Sequence, residues 1–202
     1  GVNTLDACTT GQLNVAVGNN ALGGITTGEK NIGVGYNAGV AITDAEDNVA
    51  IGQQALEGNV NGDRNIAIGT RALDVDTASD NVAIGYEAVR SNTSGTQNVA
   101  VGSYALDANT TGGSNLAVGH KALSSSTTAS NNTAVGRDAM RDTTSGTQNA
   151  SFGTAALYTN STGTNNTAIG FQTLALSTTA SNNSALGFDA LKVNTTGHSN
   201  TA

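Results

Sequence analysis

Asparagine recurs at a nearly constant interval along the whole chain, and this interval constrains the fold more than any other feature. Every step between neighbouring members of this Asn column is 17 residues, except the 16-residue step from Asn65 to Asn81. The Asn column comprises Asn14, Asn31, Asn48, Asn65, Asn81, Asn98, Asn115, Asn132, Asn149, Asn166, Asn183 and Asn200. Self-similarity at a fixed short period indicates stacked units, each too small to bury its own apolar face. The sequence therefore predicts a solenoid of about twelve coils.

A short phrase follows each of the first eleven asparagines, as in Asn-Val-Ala-Val-Gly at 14–18. Its middle residue is small, the residue before the glycine is bulky, and short β-branched runs between Asn and Gly predict strands. We expect the asparagines to form a hydrogen-bonded ladder. We expect the glycines to allow a positive φ or a close backbone approach. The Gly column comprises Gly18, Gly35, Gly52, Gly69, Gly85, Gly102, Gly119, Gly136, Gly153, Gly170 and Gly187.

An Ala-Leu pair follows most of these glycines, as at Ala55-Leu56, and we interpret it as a second short strand. Two strands and two bends in 17 residues predict an all-β chain folded as a narrow parallel β-solenoid. The repeat covers residues 1–202 as a single unit. The phrase begins before Asn14 and is cut off after Asn200, so we expect this solenoid to be cut from a longer chain.

Composition limits the partners and the chemistry of the chain. The net charge of −7 disfavours nucleic acid and direct contact with anionic membranes. Cys8 is the only cysteine, so one chain can form neither a disulfide nor a cysteine zinc site. His120 and His198 lie in different columns with no repeated carboxylate beside them. We therefore expect no catalytic residues, no metal site, no cofactor and no enzymatic activity.

The Val-Ala-Val strand is apolar on both faces, whereas a narrow coil has only one interior. The other face would form a continuous apolar stripe, which a soluble monomer does not normally expose. A neighbouring chain is expected to cover this stripe, and aspartate in place of Ile68 or Ile84 is expected to disrupt folding or assembly. The position after Asn turns more polar from Thr133 onward, so we expect the C-terminal coils to be the less apolar part.

The repeated phrase Asn-x-Ala-Ile/Val-Gly resembles the head repeats of trimeric autotransporter adhesins. The longer form with Ala-Leu and Thr-Thr-Gly loops is similar to repeats of phage tail-fibre-like and bacterial surface fibre proteins. This resemblance covers the whole chain and implies a left-handed parallel β-roll that associates as a homotrimer. It also implies an extracellular location, on a bacterial cell surface or a virion fibre. The adhesin repeats are usually shorter than the 17 residues found in this chain.

The expected function is that of a non-enzymatic structural or adhesive fibre segment. Exposed aromatic residues after the glycines are candidates for contact with a host surface receptor, glycan or matrix, and the same rings could instead cover a neighbouring chain. These candidates are Tyr36, Tyr86, Tyr104, Phe171 and Phe188. The alternative function is ice binding through the loop threonines, such as Thr110-Thr111. A polysaccharide-degrading enzyme would need clustered acids, and the sequence shows no such cluster.

Overall fold

Eleven short parallel strands form one continuous sheet in the structure, a computed structural model that describes residues 1–202. The strands are β1 (Val15–Val17), β2 (Ile32–Val34), β3 (Val49–Ile51), β4 (Ile66–Ile68), β5 (Val82–Ile84), β6 (Val99–Val101), β7 (Leu116–Val118), β8 (Thr133–Val135), β9 (Ala150–Phe152), β10 (Thr167–Ile169) and β11 (Ser184–Leu186). None of the elements is a helix, and no segment has the features of a membrane-spanning helix.

The sheet order follows the chain order, so each coil stacks directly on the previous one. Val99 pairs with Leu116 and Ala100 with Ala117, a register of one repeat. In the 16-residue coil the paired strand residues are 16 instead of 17 positions apart, and the strand register is kept, since Ala67 still pairs with Ala83. The missing residue is therefore absorbed in the loop. These observations confirm the all-β parallel solenoid and the 17-residue coil.

The two faces of the strand have opposite environments. The small middle residue points inward, and Ala83 and Ala100 are fully buried. The flanking Val and Ile residues point outward, and 37 % of Ile84 remains exposed in the single chain. Alternate side chains of a strand lie on opposite faces, so the inner Ala column lets the coil stay narrow. Leu residues such as Leu106 fill the remaining core.

The predicted second strand is wrong, because the Ala-Leu pair lies in a series of turns. Leu56 and Leu106 both have φ of 54°, in the left-handed region, where an extended strand cannot continue. Backbone hydrogen bonds still connect the coils here, since Leu106 N donates to Ala122 O at 2.9 Å. The Leu side chains are nevertheless buried. Core packing and coil-to-coil bonding therefore persist without strand geometry.

The Gly column fulfils both expected roles. Its members have φ between 129° and 142°, a conformation that L side chains rarely adopt. A Cβ atom on Gly102 would lie 2.6 Å from the carbonyl oxygen of Gly119 in the next coil. The bend after each strand therefore needs glycine for its conformation and for its close stacking.

Candidate functional site

The Asn column forms the expected ladder inside the solenoid. The backbone N–H of Asn115 donates to Oδ1 of Asn98 at 3.1 Å, and Nδ2 of Asn98 donates to Gly112 O at 2.9 Å. Most members are fully buried. Each amide side chain thus satisfies backbone groups of the bend and of the next coil, which gives the column a structural role.

A second column, mostly buried and polar from Asn59 onward, was not predicted from the sequence, although its members also recur at the repeat interval. We call it the loop column: Cys8, Ile25, Ile42, Asn59, Asp76, Asn92, Asn109, Ser126, Thr143, Asn160, Ser177 and Asn194. At Asn92, Oδ1 accepts from Gly95 N at 3.1 Å and Nδ2 donates to Gly95 O at 2.8 Å. Asn109 Nδ2 donates to Asn92 Oδ1 at 3.0 Å. These amides close the polar loop from within.

Asp76 is the single acid in the loop column, and it lies in the 16-residue coil. Its Oδ1 accepts from Ala78 N at 3.0 Å and from Asn92 Nδ2 at 2.8 Å. Burial raises the pKa of Asp76 to about 7, although these hydrogen bonds and one from Asn81 act to lower it. The carboxyl group therefore titrates near neutral pH inside the core.

The loop threonines also connect neighbouring coils. Thr93 Oγ1 donates to Thr110 O at 2.9 Å, and Thr110 Oγ1 donates to Thr127 O at 2.9 Å. Val60 interrupts the series, since its side chain has no hydroxyl group. The hydroxyl donors are thus used internally. The outward sheet face, formed by the first and third residues of strands β1 to β11, carries mostly Val and Ile side chains.

The candidate aromatic residues are distributed over separate places instead of forming one site. The rings of Tyr86 and Tyr104 lie 5.3 Å apart in an edge-to-face arrangement. Phe171 and Phe188 are stacked with ring centroids 5.4 Å apart, and Tyr36 is half exposed and distant from both pairs in the sequence. Only Tyr104 of these five residues borders a depression in the surface.

Charge is concentrated beside the turn, on an edge strip formed by the second and fifth residues after each member of the Gly column. Five of the eight Lys and Arg side chains lie on this strip. Arg71 contacts Asp74 at 2.9 Å and Glu87 at 3.4 Å, whereas Arg90 contacts Glu87 at 2.9 Å and Asp107 at 3.4 Å. This chain of ion pairs therefore connects three acids to two arginines, through contacts both within a coil and between adjacent coils.

An open depression of about 550 Å³ lies on the edge strip where this chain of ion pairs ends. We call it the edge depression, and its lining residues are Tyr104, Asp107, Lys121, Ser124, Ser125, Arg141 and Asp142. Burial raises the pKa of Asp107, and the charge of Arg90 opposes this shift. The depression combines one aromatic ring with hydroxyl, ammonium, guanidinium and carboxylate groups, a set suited to a polar ligand.

Comparison of the chain with known protein families, with curated proteins and with solved structures finds no match. No group of three or more His, Cys, Asp or Glu side chains is arranged to hold a metal ion. The fold and the two surfaces, the outward sheet face and the edge depression, are the observations from which a function can be argued.

Proposed function

We propose that this chain is a segment of an extracellular fibre, in which three copies associate through their outward sheet faces. The segment has a structural or adhesive role and catalyses no reaction. It would belong to a cell-surface adhesin or surface filament of a bacterium, or to a phage tail fibre. The resemblance of the repeat to adhesin heads supplies the number three, the left-handed coil and the location.

The outward sheet face is the observation that carries the proposal. Its side chains, mostly Val and Ile, stay partly exposed on every strand, with 37 % of Ile84 and 40 % of Ile169 accessible to solvent. Eleven strands in unbroken order make this face continuous along the solenoid. Monomeric soluble proteins seldom expose apolar patches beyond a few hundred Å², so a partner that covers the face would stabilise the assembly.

A second copy of the same chain suits this face because its side chains recur with the same spacing. The coils of both copies repeat at about 4.8 Å along the solenoid, so contacts formed by one coil are repeated by the next. A globular partner would match the face only locally. Buried Asn side chains and the loop threonines meanwhile connect the coils, as in the 2.9 Å bond from Asn98 Nδ2 to Gly112 O, and a rigid segment of this kind suits a fibre.

The solution mass of the chain, measured by multi-angle light scattering, tests the assembly. We expect a mass near three times the 20.0 kDa of one chain. A soluble monomer over the accessible concentration range would contradict the proposal, and a dimer would contradict the number three. Cryo-electron microscopy of the assembled fraction would then test whether the outward sheet faces meet at the common axis.

A further inference from the structure

The edge depression contains a cation that no acid of the chain neutralises. Of its two carboxylates, Asp142 is paired with Arg141 at 2.8 Å, whereas Asp107 lies 3.4 Å from Arg90, which also pairs with Glu87, and Asp107 Oδ1 has no hydrogen bond. Lys121 is exposed and forms no salt bridge. Its ammonium group lies over the Tyr104 ring, with Nζ 5.9 Å from the ring centroid. The unmatched ammonium favours an anionic ligand group.

The aromatic wall of the depression is held in place before any ligand arrives. The centroid of the Tyr104 ring lies 5.3 Å from that of Tyr86 and 6.2 Å from that of His120, which belongs to the next coil. Both contacts are edge-to-face, the favoured arrangement of aromatic pairs. Tyr104 is half-buried, so part of the ring remains available. A ring fixed in this way loses little conformational entropy on binding.

Arg141, another lining residue of the depression, is also held in place. The Arg141 guanidinium lies 4.0 Å from the centroid of the Tyr158 ring and donates through Nε and Nη2 to Asp142. These contacts leave the Nη1 group free to donate to a ligand. Ser124 and Ser125 add half-exposed hydroxyls between the walls. The depression therefore presents several fixed polar groups around one ring.

We propose that the edge depression binds a carboxylated sugar of a glycan, such as a uronic acid or a sialic acid. The carboxylate would lie against Lys121, the sugar ring would pack on Tyr104, and the sugar hydroxyls would bond to Ser124, Ser125 and Asp107. Small-molecule sites are usually lined by apolar side chains, whereas this lining is polar apart from one ring, which suits a polyhydroxylated ligand. This inference deepens the adhesive part of the proposed function and rests on it.

Isothermal titration calorimetry on the chain in its assembled form tests the inference. The probes are trigalacturonate, 3′-sialyllactose and the neutral maltotriose. We expect at least one carboxylated probe to bind, and maltotriose to bind at least about tenfold more weakly, because it lacks the group that Lys121 recognises. The comparison of the two acidic probes identifies whether the sugar is a uronate or a sialate.

Two variants address the site without disturbing the backbone. Lys121→Gln and Tyr104→Asn lie in a column that already carries Gln54, Gln172, Asn20 and Asn37, all with positive φ. Each variant is expected to weaken binding at least about tenfold, through loss of a charge-assisted contact or of ring packing. The matched controls Lys30→Gln and Tyr36→Asn lie outside the depression, and we expect them to bind like the parent chain.

Three results would overturn the inference: no binding of either acidic probe, equal binding of maltotriose, or full binding by both site variants. Failure of the fibre proposal would be recognised separately. A trimer that binds none of the probes rejects only the glycan site, whereas a monomer that binds an acidic probe through Lys121 rejects only the trimeric assembly.

Discussion

Buried amide side chains replace part of the backbone hydrogen bonding that a chain with such short strands lacks. Each strand has only three residues, so most backbone bonds fall in turns and loops. Asn98 bonds to two backbone groups of the next coil, the N–H of Asn115 and the carbonyl of Gly112. A buried polar group without a partner costs about 1–3 kcal/mol, more than the roughly 1 kcal/mol that a typical hydrogen bond contributes. The Asn column is therefore needed wherever the loop returns to the strand.

Replacement of Asn98 by alanine is predicted to lower the free energy of unfolding by about 1–3 kcal/mol, because it leaves the buried N–H of Asn115 without a partner, whereas Gly112 O keeps the hydrogen bond from Asn109 Nδ2. Chemical denaturation monitored by circular dichroism measures the change. Asn19→Ala is the matched control, since Asn19 is exposed, and its effect should stay within about 0.5 kcal/mol. Equal effects of the two variants would show that the ladder does not stabilise the fold.

Because Asp76 is buried, we predict that the free energy of unfolding falls as the pH rises. Its pKa is raised from 3.8 to about 7 by burial, so between these values the unfolded chain loses the proton while the folded chain keeps it. The unfolded state then binds fewer protons, and the free energy of unfolding declines by up to about 4 kcal/mol before levelling off above pH 7. Denaturation midpoints measured from pH 4 to pH 8 test this slope.

Asp76→Asn should remove this part of the pH dependence and stabilise the chain above neutral pH. Asparagine occupies the same column at Asn59, Asn92 and Asn109, so the site accepts its shape. The exposed Asp6→Asn serves as the control and should leave the slope unchanged. A slope that survives in the Asp76 variant would mean that another group is responsible.

At the scale of the structural element, the bend after each strand depends on two separate properties of glycine. Gly102 and Gly187 have nearly the same φ, 137° and 132°. A Cβ on Gly102 would meet Gly119 O at 2.6 Å, whereas a Cβ on Gly187 would meet no atom within 4 Å. A comparison of alanine variants at these two glycines therefore distinguishes the cost of backbone strain from the cost of a steric clash between coils.

Gly187→Ala is predicted to cost about 1–3 kcal/mol of unfolding free energy, because only the backbone conformation is disfavoured. Gly102→Ala should cost clearly more, since the added methyl group also displaces the next coil. Thermal and chemical denaturation of the two variants give the comparison. If both variants lose the same stability, close stacking is not what selects glycine at the bend.

Much of this element could be predicted from sequence, and the failures have physical causes. The alternation in Val99-Ala100-Val101 and the position of Asn98 were sufficient to place a strand and a ladder. The Ala105-Leu106 pair was misinterpreted because a buried Leu is compatible with several backbone conformations, and its φ of 54° leaves no mark in a sequence of this kind. Repetition shows which positions are equivalent but does not give their dihedral angles.

The sites were harder to predict than the fold. Tyr104 was a candidate because aromatic residues are rare in this chain, but Lys121 and Arg141 joined it only once the coils were stacked. Residues separated by one repeat are neighbours across coils, so the edge depression is a property of the stack. The loop column could have been found earlier, because Asn92 and Asn109 follow the same interval as the Asn column.

For the whole molecule, the central question is which strand face meets a partner, since both faces are apolar in the sequence. The structure assigns the inner face to Ala83, which is fully buried, and the outer face to Ile68 and Ile84. The sequence left open whether aspartate at Ile68 or Ile84 would disrupt folding or assembly, and the outward position of both side chains favours assembly. Those side chains become buried only if another chain covers them.

Ile68→Asp and Ile84→Asp are predicted to leave each chain folded but to dissociate the assembly, because an unpaired charge in an apolar interface is strongly unfavourable. Light scattering should show a shift towards the 20.0 kDa monomer, while circular dichroism keeps the parent spectrum. Val60→Asp is the matched control: this β-branched side chain is 40 % exposed but lies in a loop, so its mass should not change.

Ala83→Asp completes the comparison, because it places the charge on the inner face of the same strand as Ile84. This variant should lose the folded spectrum altogether, since the narrow core offers neither space nor a counter-charge. The contrast between positions 83 and 84 then distinguishes folding from association at neighbouring residues. Trimers that persist with aspartate at both Ile68 and Ile84 would place the contact between chains elsewhere, and the edge strip would be the next surface to test.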